Sequence, residues 1–202
     1  MFNHDPFKIR GSWTIWSSAK GCDQMSGQHF RLLFVGSLLL LTILPLTLMT
    51  IHQNGEKKDS FLEFARSYAS LDREVVKAVE EYRMVEGTED ADDAASGAGA
   101  AASEGISAMW ELDAPENLPV DVKDQLQHAL SSIRDSYHSI KFEMDTVHHL
   151  VEDPDISFLE TQAQYFGYVA DRERRESRES MIKAGDSLGF SREDMMKIIG
   201  EQ

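Results

Sequence analysis

The longest apolar stretch of the chain runs from Leu32 to Ile51 and contains no charged side chain over its twenty residues. Twenty helical residues span about 30 Å, which matches the hydrocarbon core of a bilayer. Pro45 lies inside the stretch, and membrane helices tolerate an internal proline. A buried core helix is the alternative, but such helices are usually shorter. The stretch therefore predicts a transmembrane helix at residues 32–51.

A heptad pattern after this stretch predicts the first bundle helix, residues 56–86. Its apolar positions follow one another in steps of three and four, so they share one face of a helix. They are Phe61, Phe64, Tyr68, Leu71, Val75, Ala78, Tyr82 and Val85. Ser60 with Glu63 predicts a capping box at the start, and Gly87 predicts the end. A continuous or nearly continuous helix could carry this seam up from residues 32–51, with Asn54 and Gly55 as the expected flexure.

Residues 119–202 are predicted to form the remaining bundle helices, with Pro119 as a first helical residue. The second seam consists of Leu126, Leu130, Ile133, Tyr137, Ile140, Met144, Val147 and Val151, and the third of Ile156, Leu159, Ala163, Phe166 and Ala170. Residues 171–180 contain no apolar side chain, so a helical but solvated segment is expected there. Ser191 predicts the cap of a last short helix.

Residues 87–118 interrupt the heptads and predict a flexible acidic, Ala- and Gly-rich connector. Residues 87–105 lack large apolar groups that would offset the entropy of ordering. The acids Glu89, Asp90, Asp92 and Asp93 do not have the spacing of a calcium loop, so solvated charge is the expected role. A small apolar patch follows, and we expect it to dock on a neighbouring helix; its Trp110 contacting a ligand is the alternative. The patch consists of Ile106, Met109, Trp110 and Leu112.

Together these patterns predict an all-α fold: one N-terminal transmembrane helix followed by an antiparallel helical bundle or hairpin with coiled-coil-like heptads. Residues 1–31 precede the anchor as a short tail. Ile9, Trp13 and Trp16 favour an interfacial helix in this tail, while its glycines and serines favour disorder. A mitochondrial presequence is a further alternative, although Asp5 and Asp23 disfavour it.

Charge is distributed unevenly about the anchor. The chain carries a net charge of −15; the residues before Leu32 have a net charge of +2, and those after Ile51 have 16 basic against 33 acidic residues. Such an acidic domain disfavours nucleic acid as a partner. The single cysteine, Cys22, excludes an intramolecular disulfide and a cysteine-based zinc site.

Four histidines on the second seam helix are the candidate metal ligands: His128, His138, His148 and His149. The pair Asp145 and His148 imitates the carboxylate-x-x-His unit of di-iron bundles. Heptad position directs three of the four histidines away from the seam, however, so a solvated surface is expected. The sequence therefore predicts no catalytic, metal-binding or cofactor-binding residue and no enzymatic activity.

Three tyrosines interrupt the aliphatic seams, at Tyr68, Tyr82 and Tyr137. In a packed core each hydroxyl must find a hydrogen-bond partner or reach water at an end of the bundle. Ordinary packing is the favoured interpretation. Facing tyrosines lining a small ligand cavity, as in sensor bundles, are the alternative.

Residues 60–83, SFLEFARSYASLDREVVKAVEEYR, resemble part of the LemA family of membrane-anchored helical proteins. Leu62, Glu63, Arg66, Tyr68 and Glu74 fit the family pattern. The Arg-x-Asp-Leu-Ile-Pro signature of the family is absent, as are its closing Tyr-Asn repeats. The resemblance implies an anchor followed by an antiparallel bundle, and it implies no established reaction.

These observations favour a single-pass membrane protein whose helical domain is a non-enzymatic interaction or scaffolding module. Its expected partners are the lipid bilayer and either a second copy of the chain or a partner helical protein. A sensory or ligand-binding bundle is the alternative, and a metal-dependent enzyme is a third hypothesis. Lys8, Arg10, Lys20 and Arg31 favour a cytoplasmic N-terminus, with the acidic domain outside, in the periplasm or extracellular space.

Overall fold

The structure is a computed structural model that describes residues 27–152 and 157–200, with side chains from residue 43 onward except at 44, 152 and 157. It contains five helices and, among the described residues, no strand. The helices are α1 (Gly27–Val85), α2 (Ala91–Glu111), α3 (Val120–Glu152), α4 (Ser157–Ser187) and α5 (Arg192–Ile199). The predicted all-α class is confirmed. The chain divides into two compact units, Met1–His52 and Gln53–Gln202.

In the first unit, residues 27–52 are helical throughout, including Pro45. Thr50 Oγ1 donates a hydrogen bond to the Leu46 carbonyl at 2.8 Å. Within the described residues, we find no helical segment with the length and hydrophobicity of a membrane span. The transmembrane prediction for 32–51 therefore gains no support, and the side chains of 32–42 and 44 lie outside the described set. The predicted tail up to residue 26 also lies outside it.

The second unit is a bundle of four long helices that alternate in direction. Phe61 of α1 contacts Phe190 beyond the end of α4, while Arg83 near the other end of α1 pairs with Asp171. On α4, Ser177 bonds to Ala129 of α3. Contacts among α2, α1 and α3 complete an up-down-up-down bundle with one shared core. The predicted antiparallel bundle is confirmed, with one helix more than the heptads indicated.

The two predicted long seams form most of this core. In α1, Phe61, Tyr68 and Val75 are at most 2% exposed, and in α3, Leu126, Ile133 and Tyr137 are fully buried. The second seam ends earlier than predicted, because Val151 is 55% exposed. Periodicity thus located the buried faces, since residues at steps of three and four lie on one side of a helix.

The predicted capping box at Ser60 is wrong, because the helix already includes the residues before it. Asn54 and Gly55 are helical, and Ser60 Oγ donates to the Glu56 carbonyl at 2.9 Å instead of capping a new helix. Extending an existing helix adds one hydrogen bond per residue without a new nucleus, so a short polar run need not interrupt it. The predicted end is correct: α1 stops at Val85, and Gly87 has φ +80°.

The predicted flexible connector at 87–118 is also wrong, since α2 occupies most of it. Ala95, Ala98, Ala102 and Gly105 of α2 are buried. A Cβ at Gly105 would lie 2.8 Å from Val75 Cγ2 and 2.9 Å from Tyr137 Cε2. Small side chains bury little area of their own, but they let the backbone approach closely and cover the large residues of α1 and α3. Alanine also has the highest helix propensity.

The segment 171–180 is helical as predicted, but it is not solvated on all faces. Ser177 is fully buried and Ser180 is 8% exposed. The third seam continues past Ala170 through Arg174 and Ser177 to the buried Met181, in steps of four, three and four. Hydrophobic periodicity did not reveal this continuation of the third seam, because Arg174 and Ser177 are polar.

The last helix, α5, follows its prediction. Ser191 Oγ accepts a hydrogen bond from the backbone N–H of Asp194 at 3.1 Å, which caps the first turn. Met195 and Ile199 are buried against the bundle. A Cβ at Gly185 of α4 would collide with Met195, so a larger residue there would displace this buried side chain where α5 packs.

Candidate functional site

A layer of buried polar groups, here called the polar layer, joins α1, α3 and α4. Asp72 of α1 is 3% exposed. Its carboxylate accepts hydrogen bonds from Tyr137 Oη at 3.2 Å and from Arg174 Nη2 at 3.0 Å. Arg178 Nη2 lies 3.4 Å from the same carboxylate. Donors from two helices therefore compensate the desolvation of this charge.

Hydroxyl groups extend the polar layer. Ser177 Oγ donates to the Ala129 carbonyl at 2.7 Å, which uses its only hydrogen. Tyr68 Oη must therefore be the donor in its 2.6 Å bond to Ser177 Oγ. Burial raises the pKa of Tyr68 and of Tyr137 well above the ordinary value, so both phenols remain protonated donors. These hydroxyls are thus engaged inside the protein, and the polar layer links α1, α3 and α4 through hydrogen bonds.

A cavity of about 450 Å³, here called the acidic cavity, lies where the turn after α1 meets α3 and α4. It is lined by Tyr82, Glu86, Gly87, Thr88, Ala91, Glu143, Val147, Leu150, Val151, Glu160, Ala163 and Gln164. Three of these described lining residues are acidic and none is basic. The cavity thus combines apolar walls with carboxylates, which is typical of a small-ligand site.

Glu143 is the most unusual group in the acidic cavity. Its Oε2 is buried and has no hydrogen-bond partner among the described residues. A Cβ at Gly167 would lie 2.9 Å from Oε1, so the carboxylate packs directly on the backbone of α4. Burial raises the pKa of Glu143 to about 7; Arg83 lowers it, while Asp171 and Glu86 raise it further. The carboxylate can therefore change its charge near neutral pH.

An exposed aromatic patch lies on α4 and the neighbouring part of α3. We define the aromatic patch as Phe142, Phe158, Tyr165, Phe166 and Tyr168. Phe166 stacks on Phe142 at 5.4 Å between ring centroids, and Tyr165 lies 5.8 Å from Phe166. Phe158, Tyr165 and Tyr168 are each more than 60% exposed. Phe142, Tyr165 and Phe166 are in ring contact, and exposed aromatic groups that contact one another indicate an interaction site.

The four candidate histidines are all exposed, including the three that heptad position directed away from the seam. His148 Nδ1 lies 2.7 Å from Asp92 Oδ1 at the start of α2, and the ring of His149 is 6.1 Å from that of His148. His128 lies elsewhere on α3, 3.4 Å from Ser180. Within the described part of the chain, no group of three or more ligating side chains is placed to hold a metal ion.

The three seam tyrosines and the small apolar patch, now part of α2, lie in different environments. Tyr68 and Tyr137 belong to the polar layer, so both hydroxyls find the partners that their burial required. Tyr82 lines the acidic cavity, where burial followed by Glu86 and Glu143 raises its pKa to about 12. Met109 docks in the core as expected, whereas Trp110 is 67% exposed beneath the Arg134 guanidinium.

Sequence reasoning missed Glu143, Asp72 and the exposed aromatics. Phe158, Tyr165 and Tyr168 lie off the seam of α4, and this displacement from the heptad was the available signal. For Asp72 and Glu143 no pattern separated them from the other charged residues on the same helices. No protein-family model, no curated protein and no solved structure matches this chain.

Proposed function

We propose that the chain is a single-pass membrane protein whose acidic helical domain binds a helical partner protein and performs no catalysis. The aromatic patch carries this proposal, because Phe158, Tyr165 and Tyr168 expose most of their surface to solvent. Aromatic residues dominate the energetics of protein interfaces. A helix face that presents several of them offers anchors for a second protein.

Charge argues for the chemistry of the partner. The residues after Ile51 carry a net charge of −17, with 16 basic against 33 acidic residues. Two copies of such a domain repel each other, whereas a helix with basic residues around an apolar face is attracted. We therefore propose a basic amphipathic helix as the occupant of the aromatic patch, in preference to a second copy.

Photo-crosslinking of the full-length chain in its native membranes tests this proposal. Benzoylphenylalanine replaces Tyr165 in the patch or, as the control, Val120 at the opposite end of α3, which is 73% exposed. We expect a product from position 165 whose partner peptide, identified by mass spectrometry, is a basic amphipathic segment. The product should diminish at high salt and in the Phe158→Ser, Tyr168→Ser double variant.

Equal products from positions 165 and 120 would contradict a specific site. A product that contains only a second copy of the chain would replace the heteromeric partner with self-association. Crosslinks to lipid alone would also overturn the proposal.

The membrane anchor at 32–51 remains part of the proposal, supported by its length and lack of charge. It agrees with the resemblance of residues 60–83 to LemA proteins. We expect the chain to resist extraction by alkaline carbonate, and the Leu40→Arg, Leu41→Arg variant to be extracted, since each Arg at mid-membrane costs about 2.5–3.5 kcal/mol. Release of the native chain by carbonate would exclude the anchor.

Orientation is testable through the single cysteine. With the N-terminus in the cytoplasm, Cys22 should not react with a membrane-impermeant maleimide on intact cells or spheroplasts. A Cys22→Ser, Ser187→Cys variant should react, because Ser187 is exposed in the acidic domain. The reverse labelling pattern would place the acidic domain in the cytoplasm.

A ligand-binding bundle is the second candidate function. The acidic cavity favours it, because its volume of about 450 Å³ suits a small organic molecule. In this case the helical domain would respond to a ligand rather than to a partner protein.

A further inference from the structure

We propose that the acidic cavity binds an organic cation, a guanidinium or ammonium group carried on a short aliphatic stem. This inference rests on the ligand-binding candidate and names its ligand class. The same chemistry is presented by a free alkylguanidine or alkylamine and by an arginine or lysine side chain of another protein.

The walls of the cavity suit the aliphatic stem. Val147, Leu150 and Val151 of α3 and Ala163 of α4 line it on two sides. Tyr82 of α1 adds an aromatic ring, to which a cation is attracted through the negative face of the π-system. An inorganic cation would gain nothing from these apolar walls.

The carboxylates suit the charged head. Glu86, Glu143 and Glu160 reach the cavity from the turn after α1, from α3 and from α4, and no described lining residue is basic. Glu143 Oε2 is buried without a hydrogen-bond partner among the described residues, and a buried acceptor in that state is destabilising. A donor from a ligand would satisfy it once the flexible carboxylate turns toward the cavity. Arg83, whose charge lowers the pKa of Glu143, does not line the cavity; its guanidinium pairs with Asp171 at 3.6 Å.

Isothermal titration of the full-length chain in detergent tests the proposal with two matched probes. Butylguanidinium carries the cation, and butylurea is a neutral molecule of nearly the same shape. We expect butylguanidinium to bind at least tenfold more tightly than butylurea. Glu143→Gln should lower its affinity at least tenfold while remaining folded, whereas Glu63→Gln, on an exposed part of α1 away from the cavity, should leave it unchanged.

Proton release provides a readout that a purely structural Glu143 would not give. Because the pKa of Glu143 is about 7, the carboxylate is about half protonated at pH 7, and a bound cation favours its ionised form. Titrations in buffers of different ionisation enthalpy should report release of about half a proton on binding to the native chain. The Glu143→Gln variant should release none.

The possible outcomes distinguish a wrong ligand class from the absence of any ligand site. Equal binding of butylurea and butylguanidinium would keep a ligand site but overturn the cationic class. Absence of binding by both probes would overturn both. A short peptide with one arginine, run beside free butylguanidinium, distinguishes the sources: tighter binding of the peptide assigns the site to a protein side chain, and weaker binding assigns it to a free molecule.

Discussion

Asp72 and Glu143 are two acidic residues that the same bundle shields from water in opposite ways. Asp72 is 3% exposed and accepts bonds from Tyr137 and Arg174, with Arg178 close by. Glu143 has a buried oxygen that no described residue hydrogen-bonds, and it packs on the backbone at Gly167. One carboxylate is surrounded by donors in the core, and the other lies at the edge of a cavity where burial disfavours its charge.

The difference shows that the hydrogen-bond partners of a buried carboxylate determine whether its charge is compensated. A carboxylate whose desolvation is compensated by several donors becomes part of the framework. A carboxylate that lacks them titrates near neutral pH and remains able to accept a ligand. Strain of this kind is expected at functional sites rather than in the framework of a fold.

Removal of the Asp72 charge should have the largest effect. Asp72→Asn leaves Arg174 and Arg178, which are about one-fifth exposed, without their shared anion. We expect the free energy of unfolding to fall by about 3 kcal/mol in urea denaturation, the low end for a broken buried ion pair. Asp135→Asn, at an exposed site of α3, should change it by less than about 0.5 kcal/mol. A loss under about 1 kcal/mol for Asp72→Asn would remove the contrast with Glu143.

Removal of one donor should have an intermediate effect. Tyr137→Phe keeps the ring that packs against Gly105 and deletes the hydroxyl that bonds to Asp72 at 3.2 Å. We expect a loss of about 1.5–3 kcal/mol, because the acceptor is charged and buried. In a double-mutant cycle with Asp72→Asn the two losses should not add, since they remove the same contact. Additive losses would mean that the hydroxyl contributes independently of Asp72.

Neutralisation of Glu143 should raise the free energy of unfolding, whereas Asp72→Asn and Tyr137→Phe should lower it. Its folded pKa is raised to about 7 from an ordinary value near 4.5, so folding is penalised above pH 7. The penalty diminishes as the pH falls below 7 and is gone below about 4.5. Glu143→Gln should therefore stabilise the protein at pH 8 by about 1–2 kcal/mol, less than the full pKa shift implies because the side chain is partly exposed.

The advantage of Glu143→Gln should shrink between pH 8 and pH 5. Denaturation of both proteins at each pH measures this difference, and the pH dependence of the other acids cancels in it. A constant difference between the two pH values would show that the carboxylate does not titrate in this range.

Filling the space beside Glu143 should have the smallest effect on stability. In Gly167→Ala the new Cβ would lie 2.9 Å from the carboxylate, whose flexible end can move toward the cavity. We expect the pKa of Glu143, measured by NMR, to fall, while the helix gain of about 0.5–1 kcal/mol offsets the rearrangement. Gly97→Ala, which meets no atom within 4 Å, should give the helix gain alone and leave that pKa unchanged. An unaltered pKa in both variants would contradict the close packing.

Hydrophobic periodicity identified α1, α3 and the start of α4, because their large apolar residues recur at helical spacing. It failed at α2, whose buried face is made of Ala95, Ala98 and Gly105, since small residues give no contrast with a solvated face. It failed again at Arg174 and Ser177, which occupy seam positions with polar side chains. On α2 and on this part of α4, burial comes from the helices packed against these positions, and the hydrophobicity of the residues themselves does not indicate it.

The candidate site was less predictable than the fold. Phe158, Tyr165 and Tyr168 stood off the heptad and offered a usable signal. Glu143 offered none, because its environment is assembled from Tyr82, Gly167 and Ala163, which are distant in sequence. Whether a carboxylate is buried beside donors or beside a bare backbone depends on which helices meet there.

The sequence by itself determined the all-α class, the seams of α1 and α3, the stop at Gly87 and the cap at Ser191. These features depend on local spacing and on the conformational preferences of single residues. Only the tertiary structure decided that α2 is a bundle helix, that Asp72 is paired and that Glu143 faces a cavity. Those features depend on contacts between segments far apart in the chain, where the free energy of a polar group is set by the partners that the fold brings to it.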